Sequence, residues 1–232
     1  MGTHVSHDRH ASTTMLGETT PPSASSPPVD RPSAVPGASH IQGMVAEFHQ
    51  IYGCATDVPL NIAMDELIDL RIDLIQEELE EVFAAIRSTD VLAIARELAD
   101  LAYVVAGTAV AFGLEIPPRE PLLGSLSADC GKAFVSLTLR STDLVSDLSR
   151  LLATIYRYAD MFGIDLDKAV TEVHRANLSK LGDDGRPILR ADGKVLKGPR
   201  YAAPDMAAAI GFTVPTNGHQ PPPWWLDGMG TH

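Results

Sequence analysis

Two neighbouring stretches carry helical periodicity, and the second is apolar on almost every face yet holds two acids. In AMDELIDLRIDLIQEELEEVFAAIRS (63–88), Leu67, Leu70, Leu74, Ile75, Leu79, Val82 and Phe83 recur at three-and-four spacing, which predicts one long amphipathic helix. DVLAIARELADLAYVVAGTAVAF (90–112) predicts a second, capped at Ser88 or Thr89 and stopped at Gly113 ahead of Pro117 and Pro118. A short turn between them makes an antiparallel hairpin. Only 6% of the chain is aromatic, and Ala and Leu are abundant, so the fold class is all-α.

The chain then echoes itself. AFGLEI (111–116) returns as MFGIDL (161–166), and AIRSTDVL (85–92) as TLRSTDLV (138–145), at offsets of 50 and 53 residues. Residues 63–113 and 122–166 thus read as two copies of one hairpin, the second about one turn shorter, packed as a four-helix bundle within one chain. Counted forward by 53, the acidic positions 77, 78 and 81 fall on Cys130, Gly131 and Phe134, so the second copy lacks the acids.

Residues 1–40, rich in Ser and Pro with His4, His7 and His10, read as a disordered tail, residues 41–204 as the helical domain, and residues 205–232, with Trp224 and Trp225, as a Pro- and Gly-rich tail. A formal charge of −12 argues against a general nucleic-acid binder. Cys54 and Cys130 are too few for a disulfide framework, and no run is long and apolar enough to span a bilayer, so the sequence reads as cytoplasmic, with no membrane partner.

On a helix advancing about 100° per residue, Glu77, Glu78 and Glu81 share one face, and Glu97 and Asp100 share another. An antiparallel hairpin brings those faces together. Carboxylates converging in a small volume repel one another and raise one another's pKa unless a cation sits among them, and oxygen-only ligands select Mg²⁺, with Mn²⁺ as the alternative. A solvated acidic face explains the first cluster but not Glu97 and Asp100, whose only near basic neighbour is Arg96. A di-iron site would want histidine three residues after a Glu, where Glu81 and Asp100 stand instead.

The pattern Glu77-Glu78-x-x-Glu81, fifteen residues, Glu97-x-x-Asp100 resembles the EExxE…ExxD signature of the MazG-like all-α nucleoside triphosphate pyrophosphohydrolases. That superfamily includes the dimeric dUTPases and phosphoribosyl-ATP pyrophosphohydrolase. Arg71, the run ELADLAYVV and EFHQIYG match as well, and the likeness covers roughly residues 44–204. EVHRANLSK (172–180) and RADGKVLKGP (190–199) look like the C-terminal segment of small members that act on dUTP.

The resemblance implies Mg²⁺-dependent hydrolysis between the α and β phosphates of a nucleoside triphosphate, with dUTP as the leading substrate. Glu77, Glu81, Glu97 and Asp100 would hold the metal, and Glu78 would hold metal or activate the water. His174, Arg175, Asn177 and Lys180 become nucleotide contacts, and Lys194 and Lys197 sit in a Gly-rich segment that could close over the triphosphate. His49 reads as a satisfied surface or core histidine rather than a base contact. The superfamily usually assembles its core from two chains, whereas this chain reads as a monomer with an internal pseudo-dimer, or a homodimer, with one site built from its own two halves. The alternatives are a phosphoribosyl-ATP-type pyrophosphohydrolase or a non-catalytic helical interaction module.

Overall fold

Every helix expected from the apolar spacing forms, and the hairpin's second helix becomes the axis of the core. A computed structural model describes residues 37–118, 120 and 123–211; the readings placed on His4, His7, His10, Trp224 and Trp225 lie outside the described residues. In order come α1 (Gly37–Tyr52), a 3-10 turn (Leu60–Ile62), α2 (Asp65–Ser88), α3 (Val91–Ala111), α4 (Leu126–Thr138), α5 (Leu144–Met161), α6 (Leu166–Leu178) and the short α7 (Met206–Ala209). The chain is all-α among the described residues, apart from an isolated antiparallel bridge between Leu189 and Val195. No helix among them is long and apolar enough to cross a membrane.

Helix α3 is buried almost all round because α1, α2, α5, α6 and α7 pack against it. Its many alanines let those neighbours approach, and Ile94, Leu98, Leu101 and Val105 fill what remains with no exposure. Helix α2 covers one side of α3 through Ile68, Ile75, Leu79 and Val82, leaving its acidic stripe facing outward and along the seam. Helix α1 begins at Gly37, inside the segment expected to be tail. Apolar contact supplies the reason, since Ala38 and Ile41 are already buried.

The two hairpins are present, with α2 against α4 and α3 against α5, so both contribute to one core. The echo at their ends is structural. Phe112 and Phe162 cap α3 and α5 in the same way, each followed by a glycine at positive φ (Gly113 +64°, Gly163 +68°). Leu114 N–H donates to Ala109 O and Ile164 N–H to Ala159 O, both at 2.9 Å, the six-to-one bond of a helix stop.

The echo at the turns is not. In the first hairpin the left-handed residue is Thr89 (φ 59°) and Asp90, not Ser88 or Thr89, is the cap, its Oδ1 accepting from Leu92 and Ala93 N–H at 3.0 and 3.3 Å. In the second, Arg140 is left-handed (φ 51°), and Asp143 makes no side-chain cap bond. Nor is the second copy only one turn shorter: α4 has 13 residues against 24 in α2. Cys130 is wholly buried in the core, as expected of a copy that lost its acids.

Candidate active site

Three carboxylates meet at the α2–α3 seam. Glu78 and Glu81 stand three residues apart on α2, and Glu97 reaches across from α3, so that one oxygen of each lies within 4.8 Å of the others. Glu97 is only 3% exposed. One of its oxygens takes the guanidinium of Arg96, but its Oε2 and the Oε2 of Glu78 are buried with no hydrogen-bond partner. Unpaired carboxylate oxygens away from water are costly, and the protein answers by holding protons. Burial first, then Asp100, Glu81 and Glu97, push Glu78 up to about 8. Burial and then Glu97 push Asp100 up to about 7, against the pull of Lys180 and Arg96. Glu81 is raised by burial and Glu97.

The five acids therefore do not stand alike. Glu78, Glu81 and Glu97 converge, Asp100 borders them, and Glu77 is exposed and pairs with Lys194. Two buried, unpartnered oxygens in an all-carboxylate group fit a hard divalent cation, which would satisfy both and remove the repulsion.

Beside this cluster opens a chamber of about 500 Å³, the size of a small-molecule site. Phe48 and Tyr52 of α1, Leu70 and Leu74 of α2, and Tyr103 and Val104 of α3 make its walls, and Leu189 and Val195 fold over it from the bridged loop. Glu78, Asp100, Asn177, Lys180 and Lys194 edge it, while Arg71, His49 and Gly107 lie on its lining too. Tyr52 fixes the end of α6 by donating its hydroxyl to Asn177 O at 2.8 Å. Gly198 pins the following loop: its N–H donates to Lys180 O at 3.0 Å, and a side chain there would collide with the backbone of Leu181.

The expected nucleotide contacts divide. Asn177, Lys180 and Lys194 line the chamber. His174 does not, being buried with Nδ1 2.9 Å from the Tyr103 hydroxyl and Nε2 3.2 Å from Glu47. Arg175 is engaged with Glu172 and Ala203 O, and Lys197 lies 4.8 Å over the ring of Tyr201. Helices α4 and α5 contribute no lining residue, so the chamber is built from the first hairpin, α1, the end of α6 and the loop, rather than from both halves. Sequence reasoning missed Tyr103, Val104 and Leu189, whose apolar character reads as ordinary core. His49 is buried as one of the two expected environments, its Nδ1 2.7 Å from Ala55 O, but it also lines the chamber.

Residues 45–122 match the family model for phosphoribosyl-ATP pyrophosphohydrolase. Over these residues the chain is similar to the MazG-like all-α nucleoside triphosphate pyrophosphohydrolase superfamily. The matched stretch carries all five signature acids and most of the chamber wall, and it supports a nucleotide pyrophosphohydrolase-type activity. The chain is also similar to uncharacterized protein L479 of Acanthamoeba polyphaga mimivirus, at 26% identity over 174 residues, covering 59% of this chain and 69% of the relative. No solved structure matches.

Proposed function

We propose that this protein is a Mg²⁺-dependent nucleoside triphosphate pyrophosphohydrolase that splits the α–β phosphoanhydride of noncanonical or excess nucleotides, with dUTP as the leading substrate. The observation that carries the reading is the pair of buried, unpartnered oxygens of Glu78 and Glu97 beside a chamber of nucleoside size. Glu78, Glu81 and Glu97, which converge, would hold Mg²⁺ with Asp100 beside them, and Glu77 would join them on releasing Lys194. When bound, the cation offsets triphosphate charge and polarises the phosphoryl oxygens.

The chain's own groups supply the rest. The apolar walls seat the nucleoside and exclude water around it. Lys180 and Lys194, at the acidic edge, meet phosphate oxygens; Lys180 is half-buried, and burial lowers its pKa while Asp100 pulls it back up. With Oε2 of Glu78 turned to the cation, the other oxygen of that carboxylate accepts the proton of the attacking water. The water oxygen bonds to phosphorus as the bridging P–O bond breaks, giving nucleoside monophosphate and pyrophosphate.

A phosphoribosyl-ATP-type substrate is the second reading, favoured by the matched family model. A panel of nucleoside triphosphates and phosphoribosyl-ATP, followed by phosphorus NMR with Mg²⁺, tests both. Pyrophosphate with the matching monophosphate is expected, fastest from dUTP. Orthophosphate as first product sinks α–β cleavage, and turnover of phosphoribosyl-ATP alone replaces dUTP with the second reading.

A further inference from the structure

The chamber's far end holds a cation that nothing among the described residues neutralises. Arg71 is 6% exposed, its Nε is buried without a partner, and no hydrogen bond or ion pair reaches it among the described residues. The titratable groups that feel its charge are Cys54 and His49. Burial raises the Cys54 thiol, which stays protonated, and holds His49 down at about 4, which keeps its ring neutral. A buried guanidinium that lines a chamber and has no carboxylate partner marks a place for a ligand's acceptor.

His49 supplies the complement. Its Nδ1 sits 2.7 Å from the carbonyl of Ala55, which can only accept, so Nδ1 carries the proton and Nε2 is left as an acceptor. Gly107 lies between the two. A Cβ there would come within 3.0 Å of Arg71 Nη2 and 3.3 Å of His49 Nε2. The absent side chain leaves a donor and an acceptor side by side at an open floor.

The hairpin sets the distance from this floor to the acids. Arg71 precedes Glu78 by seven residues on α2, and Gly107 follows Asp100 by seven on antiparallel α3. Two turns, roughly 10 Å, therefore separate the pair from the carboxylates on both helices, with Leu74, Tyr103 and Val104 between. That is the scale of a nucleoside laid along the chamber, phosphates at the acids and base at Arg71.

We infer that Arg71 and His49, on either side of Gly107, form the base-recognition end of the chamber and select a base whose carbonyl lies next to a ring N–H. The inference rests on the nucleotide reading above and names the base class. Uracil, thymine, hypoxanthine and guanine present that edge, the carbonyl to the guanidinium and the N–H to Nε2. Cytosine meets the pair only by sliding one position, setting a ring nitrogen in place of the carbonyl against the cation.

Calorimetric titration of the full chain with dUMP and dCMP, in Mg²⁺, tests it. The parent should bind dUMP at least tenfold more tightly, and Arg71→Gln should erase the preference by weakening dUMP roughly tenfold or more, as for a lost hydrogen bond to a charged group. Gly107→Ala, which keeps both side chains but closes the floor, should weaken dUMP as well. Equal binding of dUMP and dCMP by the parent, an unchanged preference in Arg71→Gln, or unchanged dUMP binding in Gly107→Ala overturns the inference. Pyrophosphate release from dUTP and dCTP by the same proteins separates the two claims. Selective dUMP binding without pyrophosphate removes the hydrolase and keeps the base end; pyrophosphate at equal rates from both, unaltered in Arg71→Gln, does the reverse.

Discussion

Without a cation, Glu78 keeps its proton at neutral pH and Asp100 gives its own up only near pH 7, and that makes them a source of instability. Their folded pKa values, about 8 and about 7, lie above the ordinary carboxylate range. The native state therefore binds more protons than the unfolded chain over this interval, so their contribution is intact below about pH 4 and fades as pH rises toward 8. Thermal melts without metal should show that decline from these two groups, and Glu78→Gln and Asp100→Asn should each flatten it and melt no lower than the parent at pH 8. Both variants should lose nucleotide hydrolysis and most of the Mg²⁺-induced rise in melting temperature. A pH decline as steep in the double variant as in the parent places the effect elsewhere.

At the scale of elements, the two helix stops offer a paired comparison. Gly113 and Gly163 share conformation, so alanine at either costs about 1 kcal/mol for the left-handed backbone. Gly113 has a further cost, because its Cβ would lie 3.2 Å from Asp57 Cα, whereas nothing lies within 4 Å at Gly163. Chemical denaturation should rank Gly113→Ala as the more destabilising; equal losses would mean that the Asp57 contact is relaxed freely. Thr89 is a β-branched residue in the left-handed region, and Thr89→Gly should stabilise by about 1 kcal/mol without altering turnover. These turns also show where sequence stops being informative. The spacing of Leu67 to Phe83 and the FG stops carry the helices and their ends, since periodicity and a positive-φ glycine are local signals. The RSTD repeat does not carry its turn, since the same four residues turn left-handed at Thr89 in one hairpin and at Arg140 in the other. The acid cluster was legible, since charge inside LAIA and LAYVV conflicts with burial. His174 was misplaced from the chamber because the Tyr103 hydroxyl and Glu47 that engage it come from 71 and 127 residues away.

On the scale of the whole molecule, α4 and α5 close the core against α2 and α3 without lining the chamber. They occupy the place that a second hairpin must fill for the first to bury its apolar face. On this account one chain would suffice for an ordered site, so specific activity should stay constant through a dilution series in which scattering follows the mass; activity falling with dissociation of a dimer would show a shared site. The central claim is that the buried oxygens of Glu78 and Glu97 await a divalent cation, and titration calorimetry with Mg²⁺ in buffers of different ionisation enthalpy at pH 7 addresses it. Ligand carboxylates must be ionised to bind metal, so the parent should take up Mg²⁺ and release protons, and Glu97→Gln should do neither. Heats that are absent in the parent, or the same in Glu97→Gln as in the parent, would contradict the claim.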